Sequence, residues 1–292
     1  MCAMKRGDLI GTIAVLCVAI GAFLYFNRDS SKSSAPTLAA ALSNGSLQVQ
    51  QRWELPAELN EVSAIAWKGN EKIACVQDND GTIFFFDLGS GRVTDRLHFA
   101  GGGDYEGLAI AGNDYYVLRS DGTLFEIKPG SSKPAVNTYP GPFSTRNDCE
   151  SLSYDAKNNR LLVGVKEKDL SDPQRKGVYA FDLATKQFDT KPVYYIGSGS
   201  EAGHTRGKKK KDGIRPSDHV LAPGGTGLYV LDGPRAQLLL TDAGGTVERS
   251  IQLDKAVFPQ PEGLCFSPSG ELYLSSEAGK KSRATLARVQ VK

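Results

Sequence analysis

Three glutamates recur in one local setting along this chain: Glu106-Gly107-Leu108, Glu150-Ser151-Leu152 and Glu262-Gly263-Leu264. Two further segments open alike but on serine, Ser63-Ala64-Ile65 and Ser217-Asp218-His219. Two residues upstream the same alignment gives Glu61, Asp104, Asp148, Arg215 and Gln260. Another set, Asp78, Glu167, Asp232 and Glu277, closes the next apolar segment of four units, and Arg119 stands in the fifth. Carboxylates and hydroxyls gathered in this way suit a hard cation, since Ca2+ takes about 6–8 oxygen ligands. On that reading Glu106, Glu150 and Glu262 are the first metal ligands. Asp104 and Asp148 stand behind them, with Glu61, Asp78, Asp232 and Glu277 further out. A second reading keeps the acids without a metal, bonding backbone N–H groups of neighbouring strands, with Arg119, Lys166 and Arg215 as internal counter-charges. A third uses a bound metal as a Lewis acid in a hydrolase of the lactonase or phosphoesterase type.

Other chemistry has little to rest on. The sequence contains no G-x-S-x-G elbow, P-loop or H-E-x-x-H motif. Of the 3 histidines, His219 follows Ser217 and Asp218. Neighbours on a strand point to opposite faces, so these three cannot form a relay among themselves, and His219 reads as a packed strand histidine. Cys75, Cys149 and Cys265 have no CxxC spacing and read as small buried hydrophobes.

The elements that must position the acids repeat. Each opening segment (SAIAW, EGLAIA, ESLSYD, SDHVLA, EGLCFS) is followed by a turn and a second apolar strand, such as KIACVQ or DYYVLR. A third strand comes next (TIFFFDL, TLFEIK, GVYAFDL, AQLLLTD, ATLARVQV), and four units add a fourth. The units start at residues 63, 106, 150, 217 and 262, and the one long interval contains insertions at Lys168–Lys176 and Gly197–Gly213. Four short strands at a period of about 40–45 residues describe propeller blades. The fold expected is all-β, a five-bladed β-propeller over residues 46–292. The last unit has only three strands, and Ser46–Leu55 is the expected N-terminal strand that closes the last blade. Innermost strands line the central channel of such a fold, so the acids should meet at one end of it.

Composition agrees with this. Glycine is high, 32 of 292 residues, as a fold rich in tight turns requires. The net charge of +2 supplies no field for a polyanion, which argues against a nucleic-acid partner. The run Lys208–Lys211 inside RGKKKKDG is a solvated loop or the contact for a protein or anionic-surface partner.

Residues 1–26 have a different character. Leu9–Phe26 is uncharged for eighteen positions, preceded by Lys5 and Arg6 and followed by Asn27, Arg28 and Asp29. A helix of that length spans about 27 Å, close to the hydrocarbon core of a bilayer. It is longer than a cleavable signal core and lacks a small-residue cleavage site, so it reads as one transmembrane helix serving as a signal anchor. Residues 27–45 read as a tether. The positive-inside rule then puts the propeller on the extracytoplasmic, periplasmic side of the cell membrane.

Asp104–Ile110 (DYEGLAI), Asp148–Lys168 (DCESLSYDAKNNRLLVGVKEK) and Gln260–Glu277 (QPEGLCFSPSGELYLSSE) resemble the SdiA-regulated, YjiK/CarP-type β-propeller family. The resemblance covers roughly residues 46–292. It implies a small propeller outside the cytoplasmic membrane, linked in some members to calcium, and no established catalytic activity. This chain departs from the family pattern at Arg119, where an acidic residue is common, and at His219, where leucine is.

Overall fold

In the computed structural model, the described residues are 43–130, 133–197, 213–280 and 282–292. The expected anchor at 1–26, most of the tether and Lys208–Lys211 lie outside them. Among the described residues, no helix is long and apolar enough to cross a membrane.

Alternating and fully apolar segments of five to eleven residues form twenty of the strands, grouped in five four-stranded antiparallel arrangements. Blade 1 holds Val62–Gly69, Lys72–Gln77, Asp80–Asp87 and Arg92–Gly102, in that spatial order. Blade 2 holds Tyr105–Ala111, Asp114–Arg119, Leu124–Lys128 and Ala135–Tyr139. Blade 3 holds Cys149–Asp155, Arg160–Val165, Lys176–Asp182 and Gln187–Ile196. Blade 4 holds Pro216–Leu221, Leu228–Asp232, Gln237–Thr241 and Val247–Gln252, with the short strand Ser43–Asn44 parallel to its outer edge. Blade 5 holds Gln260–Phe266, Leu272–Glu277 and Thr285–Val291, and its outermost strand is Leu47–Glu54 from the other end of the domain. Tight turns join the strands. In blade 1, Asn70 and Glu71 take φ of 51° and 54°, the left-handed pair that a two-residue hairpin requires.

The first strand of each blade packs on the first strand of the next, and Gln260–Phe266 packs on Val62–Gly69, so the ring closes. A four-stranded blade is apolar on both faces and must bury each against a neighbour. Five separate apolar clusters do this, one at every blade junction. Tyr105, Phe99 and Phe125 fill the junction of blades 1 and 2, Leu152 and Tyr179 that of blades 2 and 3, and Leu162 and Val230 that of blades 3 and 4. Leu264 and Leu238 fill the next, and Ile65, Phe86 and Tyr273 fill the seam where blade 5 meets blade 1.

Every inner strand is broken at one equivalent place. The pairing with the second strand skips a residue between Val62 and Ala64, Tyr105 and Gly107, Cys149 and Ser151, Pro216 and Asp218, and Pro261 and Gly263. The skipped residues are Ser63, Glu106, Glu150, Ser217 and Glu262. A β-bulge thus lifts each out of the sheet's alternation at the same height in the ring.

The residue after each bulge faces the next blade at close range. A Cβ on Gly107 would stand 2.7 Å from the Cβ of Leu152, and one on Gly263 would stand 3.1 Å from the backbone nitrogen of Ile65. In blade 3 the same position is Ser151, whose hydroxyl lies 2.6 Å from His219 Nδ1 of blade 4. In blade 4 it is Asp218, whose carboxylate accepts the Leu264 N–H of blade 5 at 2.7 Å. The glycine of the Glu-Gly-Leu step is therefore a demand of blade packing, independent of the glutamate before it.

Candidate functional site at the channel mouth

The bulges bring the acids of different blades within one another's fields. Glu150 lies in the fields of Glu106 and Glu262, Glu262 in that of Glu277, and Glu277 in those of Asp78 and Glu61. Asp104 acts on Glu106, Asp78 and Asp148. Eight of the nine sequence-derived candidates (Glu61, Asp78, Asp104, Glu106, Asp148, Glu150, Glu262 and Glu277) thus form one acidic assembly.

Asp232 does not join it in the expected register. It pairs with Pro216, just as Gln77 pairs with Val62, Arg119 with Tyr105, Val165 with Cys149 and Ser276 with Pro261. The residues equivalent to Asp78 and Glu277 are accordingly Ser120, Lys166 and Gly233, not Arg119, Glu167 and Asp232. Asp232 is buried and bonded to Arg235 at 2.7 Å, while Glu167 pairs with Arg215. The carboxylates Glu167 and Asp232 each stand one residue away from the position that the pairing ladder makes equivalent to Asp78 and Glu277. The bulge also turns residues two apart to opposite sides of the sheet: Tyr105 packs toward blade 1 while Gly107 faces blade 3.

Burial and mutual repulsion hold six of these carboxyls, Asp78, Glu106, Asp148, Glu150, Glu262 and Glu277, above their ordinary range. Burial is the larger cause for Glu106, followed by the charges of Glu150 and Asp104 and a hydrogen bond shared with Asp104. Glu150 is raised by burial, against the pull of Lys166, with Asp148 and Glu262 adding to the rise. Glu262 and Asp148 are raised by burial and eased by Lys166, and the Ser217 hydroxyl also eases Glu262. Burial, then Glu262, pushes Glu277 up to about 7. Asp78 is raised by burial, then by Glu61 and Asp104; Asn79 Nδ2 bridges it to Glu61 at 2.7 and 2.8 Å. Asp148 also has a left-handed backbone, φ 54°, which aspartate tolerates better than most residues.

Of the three suggested counter-charges, Lys166 is bonded within the assembly, with Nζ 2.6 Å from Glu150 Oε2, and Arg215 reaches Asp148 only through its field. Arg119 is held by Asp121 at 2.7 Å and by Thr123, and Arg215 is held by Glu167.

Asp218 and His219 sit just below this layer. Asp218 accepts the N–H of His219 at 2.8 Å as well as that of Leu264, and its carboxyl is raised by burial despite both bonds. His219 is fully enclosed, with Nδ1 on Ser151, Nε2 without a hydrogen-bond partner among the described residues, and a pKa lowered by burial to about 4. His219 is thus the packed strand histidine expected, bonded across to blade 3, and Asp218 is an inter-blade clamp to which the sequence reading gave no role. The signal was there: a buried polar residue must find a partner, and both fall where other blades place glycine or leucine. The three cysteines are free and buried.

Fold and site together define a five-bladed β-propeller, nearly neutral overall, with carboxyl groups gathered at its channel mouth. No family model matches the chain, and no curated protein matches it, so the family resemblance rests on the quoted residues alone. Solved structures do match its shape. A glutaminyl cyclase from Myxococcus xanthus superposes with a TM-score of 0.61 at 16% identity, over 85% of this chain and 97% of that one. A luciferin-regenerating enzyme gives 0.52 at 11% identity over the same shares. At such identities these neighbours establish the propeller fold and nothing of its chemistry.

Proposed function

We propose that this chain is a membrane-tethered, extracytoplasmic propeller whose channel mouth binds a cation, Ca2+ first, and that it acts as a binding or scaffold protein. One observation carries the reading. Eight carboxyl groups from four blades lie in one field with one lysine ammonium bonded among them, and burial together with that repulsion disfavours the ionised forms of Asp78, Glu106, Asp148, Glu150, Glu262 and Glu277. A divalent ion at the axis relieves that repulsion. The donor set of carboxylates and serine hydroxyls suits Ca2+. Among the described residues, no three His, Cys, Asp or Glu side chains stand close enough to hold an ion as they lie, so binding has to draw the glutamates inward. Support for the tether is the uncharged run at 9–26, and Lys208–Lys211 is the proposed contact with an anionic surface.

Titration calorimetry of the full-length chain in mild detergent tests the site. Heat of binding at micromolar to millimolar Ca2+, lost in Glu106→Gln, is the expected result. No heat and no thermal shift at millimolar Ca2+ would refute it, since a ligand of the native state must stabilise it.

The hydrolase reading retains one supporting observation. Two neighbouring carboxyls with raised pKa, the half-buried Glu106 and the buried Glu150, are in the state a general acid needs. Turnover of lactones or aryl phosphates that requires both Ca2+ and Glu106 would favour it over pure binding.

A further inference from the structure

Lys166 occupies a place in the ring where blades 1 and 5 carry acids. It follows the second strand of blade 3, at the register of Asp78 and Glu277. Its ammonium reaches Glu150 Oε2 at 2.6 Å, with only 15% of the lysine side chain and 8% of the glutamate side chain exposed. Burial opposes its charge, yet Glu150, Glu262 and Asp148 together outweigh burial and hold it protonated.

The main chain beneath this side chain is pinned on both sides. Its N–H donates to the Asp148 carbonyl at 2.8 Å, and its own carbonyl accepts Lys176 Nζ at 2.5 Å. Lys176 donates to the Glu167 carbonyl as well. The anchor point of Lys166 is thus fixed, and four methylenes separate it from the ammonium. The nearby cations Arg119, Lys176 and Arg215 are held by Asp121, by backbone carbonyls and by Glu167.

We propose that Lys166 is a tethered counter-ion, a built-in competitor that sets which cations the channel mouth accepts. The inference rests on the cation-site reading above and adds selectivity to it. A monovalent ion that displaces the ammonium replaces one positive charge with another and gains nothing electrostatically. It also forfeits the advantage of a ligand already attached to the protein. A divalent ion brings a second charge against the same carboxylates, and that excess drives the exchange. The site therefore discriminates by charge without needing a cage shaped for one ion.

The test uses the full-length chain in detergent, titrated with CaCl2 and with KCl at matched ionic strength, as wild type, Lys166→Met and Lys166→Arg. Wild type should bind Ca2+ and show no response to K+. Lys166→Met should bind Ca2+ on the order of tenfold or more tighter and acquire a K+-dependent thermal shift. Lys166→Arg, which keeps the tethered charge, should resemble wild type. Ca2+ binding by wild type with equal or weaker binding by a folded Lys166→Met overturns the competitor role and leaves the site standing. If neither protein binds, the site itself falls and the counter-ion role falls with it.

Discussion

Gly107→Ala isolates the packing rule that shapes the candidate site. The new Cβ would lie 2.7 Å from the Cβ of Leu152, 3.1 Å from that of Leu118 and 3.2 Å from the Leu152 nitrogen. Those atoms are fixed to the backbone and cannot rotate away. Reaching an ordinary contact of 3.4 Å requires the inner strands of blades 2 and 3 to part by about 0.7 Å. Overpacking of this kind costs about 1–3 kcal/mol. Alanine also narrows the unfolded ensemble, which returns about 0.4–1 kcal/mol, so a net loss of about 1–2 kcal/mol is expected. For a domain of this size that corresponds to a fall in Tm of roughly 2–8 °C. Gly101 supplies the control: a Cβ there meets nothing within 4 Å, so Gly101→Ala should be neutral or slightly stabilising. Differential scanning calorimetry of both variants decides the matter. Because Gly107 follows Glu106 directly, its alanine variant should also weaken Ca2+ binding. Equal melting temperatures for the two variants would refute the close-approach account of the Glu-Gly-Leu step.

Three further outcomes follow from the same geometry. The unfolded chain releases the protons of Glu106 and Glu150 near pH 4.5, while the folded ring holds them to higher pH, so stability falls as pH rises between those limits. Above pH 7, where His219 is neutral folded or unfolded, the slope should be about 1.4 kcal/mol per pH unit for each proton still held. Glu106→Gln should flatten that slope in denaturant titrations, and a stability that rises from pH 7 to 8 would contradict the assignment. Ser151→Ala leaves His219 Nδ1 buried without a partner, and a loss of about 1–3 kcal/mol is expected in urea unfolding. Asp218→Ala strips two backbone N–H groups, in blades 4 and 5, of their acceptor; a loss of roughly 3 kcal/mol should appear in the same assay.

The blades were legible because a period of about 40–45 residues is set by the length of four strands and their turns, and composition preserves it. The glutamates of blades 2, 3 and 5 were legible for the same reason, being tied to a repeated position. What sequence concealed was the bulge. Nothing in the string DYEGLAI distinguishes a regular strand from one that skips Glu106, because the skip is decided by pairing with Asp114–Arg119. The misplacement of Asp232 has the same origin, since its register belongs to its pairing with Pro216 and not to its own neighbours. Lys166 was readable as a possible counter-charge, but choosing it over Arg119 and Arg215 required knowing that Asp121 and Glu167 hold the other two. The Asp218 clamp on Leu264 joins residues 46 apart in sequence, beyond the reach of local pattern.

The central claim is that a cation belongs at the channel mouth. The most direct test is an X-ray structure of the chain crystallised with millimolar Ca2+ and examined for anomalous scattering on the propeller axis. The account predicts a peak about 2.3–2.6 Å from carboxylate oxygens of Glu106, Glu150 and Glu262, with Lys166 turned away from Glu150. No peak at the mouth, with Lys166 still bonded to Glu150 and the glutamates undrawn, would contradict it.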